Sequence, residues 1–207
     1  MASNTIVRLS MAALGCILLT GCGATQVKSS WVDETYAGGP LKRVLVVGIS
    51  DDGSVRKTFE DSFVAELRAA GLEAFASYPR LAEAKEADAE MIRTAAQALS
   101  LERVLVIHLA GVEKKDVFNP PMSAPAPDPY YYRYGLSYST VYHYVNEPGY
   151  YSTHEYVKLE SNLYDVDSQN LIWSAATETV DPGDTASAAK ELCRALVRDL
   201  KARGLVE

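Results

Sequence analysis

Three cysteines and three histidines in 207 residues leave few ways to build a disulfide framework, a thiol–imidazole pair or a closed metal site. The histidines are His108, His143 and His154. His108 ends an apolar run and reads as a sheet histidine. His143 and His154 would face one another across a hairpin turning at Asn146-Glu147-Pro148-Gly149, with Glu155 nearby, yet two imidazoles fall short of a structural zinc site. Ser50-Asp51-Asp52 reads as a helix start rather than a catalytic pair. No metal, no cofactor and no enzymatic activity are expected. A glycine-rich phosphate loop is also lacking: Gly48-Ile49-Ser50-Asp51-Asp52-Gly53 follows the first apolar strand, and its two carboxylates would repel a pyrophosphate. Excess positive charge is lacking as well. A formal charge of −7 argues against nucleic acid as a partner.

Long apolar runs are scarce. Leu9 to Leu19 is about half of the ~20 residues that cross a bilayer, too short for a membrane helix. With Arg8 in front and Leu19-Thr20-Gly21-Cys22 at its end, the segment reads as a secretory signal of the bacterial lipoprotein type. In that pattern residues 1–21 are removed by a cut between Gly21 and Cys22. Cys22 then carries diacylglycerol on its sulfur and an acyl chain on its amine, and several chains give stable anchoring where one gives only marginal binding. The resemblance to bacterial lipoproteins also implies sorting: Gly23, rather than Asp, follows the cysteine, which favours the outer membrane, with the domain facing the periplasm. Loss of Arg8, the one charged residue before Cys22, takes the formal charge from −7 to −8. Cys16 leaves with the signal and Cys22 is acylated, so Cys193 has no intramolecular partner and reads as a small core residue.

Residues 22–40, the acylated cysteine and a polar, small-residue stretch ending in Gly38-Gly39-Pro40, read as a tether. Residues 41–207 read as one α/β domain. Lys42 to Ile49 is a continuous β-branched run, the pattern of a strand buried on both faces. A helix follows, with Val55, Phe59, Phe63 and Leu67 as its apolar positions and Gly71 as its stop. A brief strand at Leu72 to Ser77, a helix from about Ala87 to Leu99 and a strand at Arg103 to Ile107 complete a β-α-β-α-β unit. Prolines 120, 121, 125, 127 and 129 then read as a loop that cannot continue a ladder. The chain returns through Tyr150 to Val166, turns at Asp167-Ser168-Gln169-Asn170 and forms a last strand to about Val180. A closing helix from about Asp184 to Arg203 carries Ala189, Leu192, Cys193, Leu196, Val197 and Leu200 as its stripe. The expected fold is α/β of the α+β kind: a mixed sheet, an antiparallel meander with a tyrosine-rich hairpin, and a C-terminal helix.

Ten of the 13 tyrosines fall between Tyr130 and Tyr156. Tyr130, Tyr132, Tyr134, Tyr138, Tyr142 and Tyr144 share one parity, which gives a strand one aromatic face. Three readings stay open for this insertion at about 116–151: core packing, a recognition face for an envelope protein or peptidoglycan, and a hairpin of a membrane barrel. Arg56, Phe59 and Phe63 in the first helix, and Leu163 to Trp173 in the late hairpin, resemble motifs of the periplasmic domains of the curli-export lipoprotein, the penicillin-binding-protein activator lipoproteins and the amino-terminal domain of the Tol–Pal propeller protein. The resemblance implies a non-enzymatic envelope adaptor or accessory lipoprotein, with a subunit of an oligomeric export or pore-like complex as the alternative.

Overall fold

Residues 25–81, 87–127 and 142–207 are described by the computed structural model, with backbone only at 124–127 and 142–145. The signal segment and Cys22 lie outside the described residues.

The apolar run forms strand β2 (Arg43–Ile49), and its alternate side chains enter two cores. Val44 and Val46 face one core, with Phe63, Leu105, Leu163, Trp173, Leu192 and Leu196. Leu45 and Val47 face the other, with Ala95, Ala96, Leu101, Val104 and Val166. Helix α1 (Gly53–Ala69) is capped by Asp52, whose carboxylate accepts from the N–H groups of Ser54 and Val55. Strand β3 (Glu73–Ala76), helix α2 (Ala89–Gln97) and strand β4 (Arg103–Asn119) complete the expected unit, with β3 and β4 both parallel to β2. After β5 (Met122–Pro127), β6 (Tyr142–Glu147), β7 (Tyr150–Asp165) and β8 (Leu171–Val180) comes helix α3 (Thr185–Ala202). Its expected stripe is buried throughout. Gly71 and Gly204 follow α1 and α3 at φ +93° and +73°, the left-handed conformation that closes a helix at lowest cost with glycine.

The main sheet has six strands in the order β1-β8-β7-β4-β2-β3, where β1 is Thr25–Val32. The fold is a mixed α/β sandwich with a C-terminal helix. Helices α1 and α3 pack beside one another on one face, while α2 contributes to the second core on the other.

The expected tether is corrected by β1, which pairs antiparallel with β8 from Thr25↔Thr179 to Val32↔Trp173. Its polar composition is that of a linker. Those polar groups are instead satisfied by the fold: Thr25 and Thr179 share a hydroxyl hydrogen bond of 2.8 Å, and Ser30 donates to Asp199 on α3 at 2.9 Å. Downstream, Arg103 donates to the Tyr36 hydroxyl at 3.1 Å, and the Leu41 N–H bonds the Leu205 carbonyl.

Candidate interaction surface

Strand β4 pairs with β2 only as far as His108, and β7 pairs with β8 only from Tyr156 onward. The two nevertheless pair with each other from Arg103↔Asp165 to Asn119↔Tyr150. Past the row Glu113↔Tyr156 they leave the sheet as a two-stranded arm of six further pairs up to Asn119↔Tyr150, about 20 Å long at the usual rise per residue. A bulge between Leu109 and Gly111 marks where the arm departs, as bulges commonly do at sheet margins.

The arm changes character along its length. Near its base, opposite charges pair: across the strands Lys158 donates to Glu113 at 2.9 Å and Lys114 is 3.5 Å from Glu155, while Lys115 lies 3.2 Å from Glu113 on its own strand. Hydrogen bonds from Lys158 and then Lys115 hold the Glu113 carboxyl below its ordinary value. Farther out these charges give way to apolar side chains. Phe118 and Tyr151 face one another at a ring separation of 5.1 Å, yet they are 52% and 72% exposed. Val117, Met122 and Tyr150 are exposed beside them. The segments Val117 to Ser123 and Asn146 to Ser152 carry Glu147 as their one charge.

The middle of the arm is tightly built. A Cβ at Gly149 would come within 2.8 Å of the Phe118 ring and 3.0 Å of Pro121, so only glycine lets Phe118 lie against the opposite strand here. Asn119 donates to the Ser152 hydroxyl at 2.9 Å. Beyond it, Pro120-Pro121 stands level with Pro148-Gly149, and three missing amide donors interrupt the ladder. Pairing resumes in the same register at Met122↔Glu147 and continues to Pro127↔Tyr142.

Two expectations are corrected by this register. The proline segment does form a strand, because Pro125 and Pro127 share one parity and leave their missing donors on one edge of β5, where proline is tolerated. The hairpin also does not turn at Asn146–Gly149: β6 pairs with β5, and β7 with β4. His143 therefore stands opposite Ala126, and His154 opposite Lys115. The two histidines do not meet. His154 Nδ1 is instead 2.5 Å from Asp181, and hydrogen bonds from His154 and then the Glu155 N–H lower the Asp181 carboxyl. His108 Nε2 sits 3.3 Å from Glu160 on the neighbouring strand, as a sheet histidine would. Tyr142 and Tyr144 lie on β6 with one residue between them, opposite Pro127 and Pro125. Tyr130, Tyr132, Tyr134 and Tyr138 lie outside the described residues.

At the base of the arm, on the helix side, an apolar groove runs between Val55 and Phe59 of α1, Leu109, Val157 and Leu159 of the sheet, and Pro182 before α3. The sequence had not singled it out. Its walls come from four separate segments, and only the bulge at Ala110 turns Leu109 and Val112 toward the same side. A usable sequence signal for the arm did exist: the charges of Glu113 to Asp116 are complemented by those of His154 to Lys158, as cross-strand pairs require.

No family model matches the chain, and no curated protein matches it. Among solved structures, the chain is similar to the PelC dodecamer from Paraburkholderia phytofirmans, at 15% identity over 83% of this chain and 94% of that one, with a TM-score of 0.44. It is also similar to lipoprotein GNA1162 from Neisseria meningitidis, at 16% identity over 78% of this chain and 99% of that one, with a TM-score of 0.41.

Proposed function

We propose that the chain is a non-enzymatic lipoprotein held in the outer membrane through acylated Cys22, whose periplasmic domain acts as an adaptor or accessory protein in cell-envelope assembly or maintenance. The observation that carries this reading is the arm. The two cores are closed by the sheet and its helices, and no core residue among those described comes from 110–158. An apolar, exposed projection that contributes nothing to burial is the kind of feature that marks an interaction site. The polar groups point the same way. Arg56 and Glu60 are locked in a buried pair, Asp52 and Asp184 cap helices, and His108 and His154 are held by carboxylates. These groups serve local structure rather than converging in a cleft.

The experiment replaces Tyr132, Tyr134, Tyr138 and Tyr142 by Thr and compares crosslinked partners in intact cells. The variant is expected to fold and localise normally and to lose its partner, since aromatic anchors dominate such interfaces. Unchanged crosslinks would contradict the recognition face.

One observation favours the alternative reading, a subunit of an oligomeric export or pore-like complex. Beyond His108 on β4 and before Tyr156 on β7, the described ladder has no strand on either outer edge, and unpaired edges are templates for a neighbouring copy. Size after mild detergent extraction separates the two: an adaptor runs small, a ring runs large.

A further inference from the structure

The groove at the base of the arm is apolar and open. Its floor is Ile107 and Leu109 of β4 with Val157 and Leu159 of β7, and its sides are Val55 and Phe59 of α1 and Pro182 before α3. Leu109 is 53% exposed and Val55 41%, so the described residues leave it uncovered. Polar groups on its margin are already engaged: Arg56 and the Gly48 N–H both donate to Glu60, and the Ser50 hydroxyl donates to the Asp52 carbonyl. A peptide laid here would bring backbone amides against a surface that offers them no partner. A saturated hydrocarbon chain asks for none. The chain enters the fold beside this groove. Strand β1 begins at Thr25, in one row with Thr179 and Val157. The hydroxyls of Thr25 and Thr179 bond each other, and Thr179 stands opposite Val157, so all three side chains lie on the helix side of the sheet. Two strand spacings, about 10 Å, separate Thr25 from Val157. Only three residue steps lead from Thr25 back to Cys22, a reach of at most about 11 Å, which brings Cys22 within range of the mouth of the groove.

From the apolar lining and this short reach we infer that the groove is a binding site for a saturated acyl chain, and that its occupant is one of the chains carried by the protein's own Cys22 while the protein is in water. The inference rests on acylation of Cys22 as proposed above. A ligand on so short a linker is present at an effective concentration of about millimolar, an advantage that no free lipid shares. Every methylene moved out of water is favourable, so one chain lies along Leu109, Val157 and Leu159 when no bilayer is at hand. A leaflet takes the chain back, because it buries all the chains of the anchor at once. The groove thus covers part of the anchor while the protein passes between membranes.

The test uses the full chain, processed in a bacterial host, with the photoreactive benzoylphenylalanine in place of Val55 and, for comparison, in place of Met91, which is 48% exposed on α2 across the sheet. Each protein is freed of detergent, its monomeric fraction is illuminated, and its peptides are read by mass spectrometry. The expected result is an acyl carbon of the amino-terminal lipopeptide joined to the peptide carrying position 55, none joined at 91, and no doubling of mass on a denaturing gel. Leu109→Asp, which puts a charge on the exposed floor, should abolish the join while circular dichroism reports an intact fold. A lipopeptide joined equally at 55 and 91, or joined at 55 despite Leu109→Asp, would overturn the groove as the site. A doubled mass would assign the chain to another copy, and phospholipid joined in its place would assign the groove to bilayer lipid; either overturns the inference. The unjoined amino-terminal peptide reads the anchor independently. An unacylated Cys22 would overturn the underlying proposal and this occupant with it, whereas an acylated Cys22 that joins nothing at 55 overturns the occupant alone.

Discussion

At Glu60 a carboxylate with no solvent exposure accepts from the Arg56 guanidinium at 2.9 Å, from the Gly48 N–H at 3.0 Å, and from the Ser77 N–H and hydroxyl and the Tyr78 N–H. Arg56 in turn donates to the Leu81 carbonyl and the Ser77 hydroxyl. One ion pair therefore ties α1 to the end of β2 and to the turn after β3. Glu60→Ala removes one partner of this buried pair and strips the Gly48, Ser77 and Tyr78 N–H groups of their acceptor, which costs about 3–5 kcal/mol. The midpoint of denaturant unfolding should fall accordingly, and an unchanged midpoint would show that water replaces the carboxylate. Cys193 gives a second prediction at this scale. Burial, and then the Glu66 carboxylate, push its thiol up to about 12, against the opposing effect of Arg194. Because the thiolate is the reactive form, iodoacetamide at pH 8 should leave Cys193 unmodified in the native protein and alkylate it once guanidinium unfolds the chain. Alkylation of the native protein would contradict its burial.

Among the elements, α1 shows how far periodicity carries. Steps of four residues on a helix turning 100° per residue drift by about 40° each, so Val55 ends up about 120° from Leu67. Phe63 and Leu67 are buried, Phe59 is partly buried against the core, and Val55 is 41% exposed. The inward line is completed by Arg56 and Glu60, which hydropathy reads as surface. Phe63→Ala should therefore cost about 3–5 kcal/mol, while Val55→Ala should stay within about 0.5 kcal/mol. Equal losses in thermal melts of the two variants would refute this helix face. Apolar strands and capped helices were legible because burial and termination write themselves into residue type. Strand β1 was not, because an edge strand satisfied by Thr25, Ser30 and the side chains of α3 has the composition of a linker. The arm was legible only in part. The prolines that interrupt its ladder at 120, 121 and 148 read as loop and turn, whereas the strands on both sides of Gly149 pair with β4 and β5.

For the whole molecule, these elements give a polarity. One end of the sheet carries the chain's entry at Thr25, the arm and the groove beneath it. The opposite end carries the turn at Asp167 to Asn170, where Asp165 accepts from the Ser168 N–H and hydroxyl. An anchor at Cys22 turns that polarity into an orientation at a membrane, and the role proposed for the arm depends on it. The most direct measurement is the intact mass of the protein extracted from bacterial outer membranes. The account predicts a mature chain beginning at Cys22 and carrying diacylglycerol on sulfur and a fatty acyl chain on the amine. A chain that retains residues 1–21, or one with a free thiol at position 22 recovered from the soluble periplasm, would contradict it.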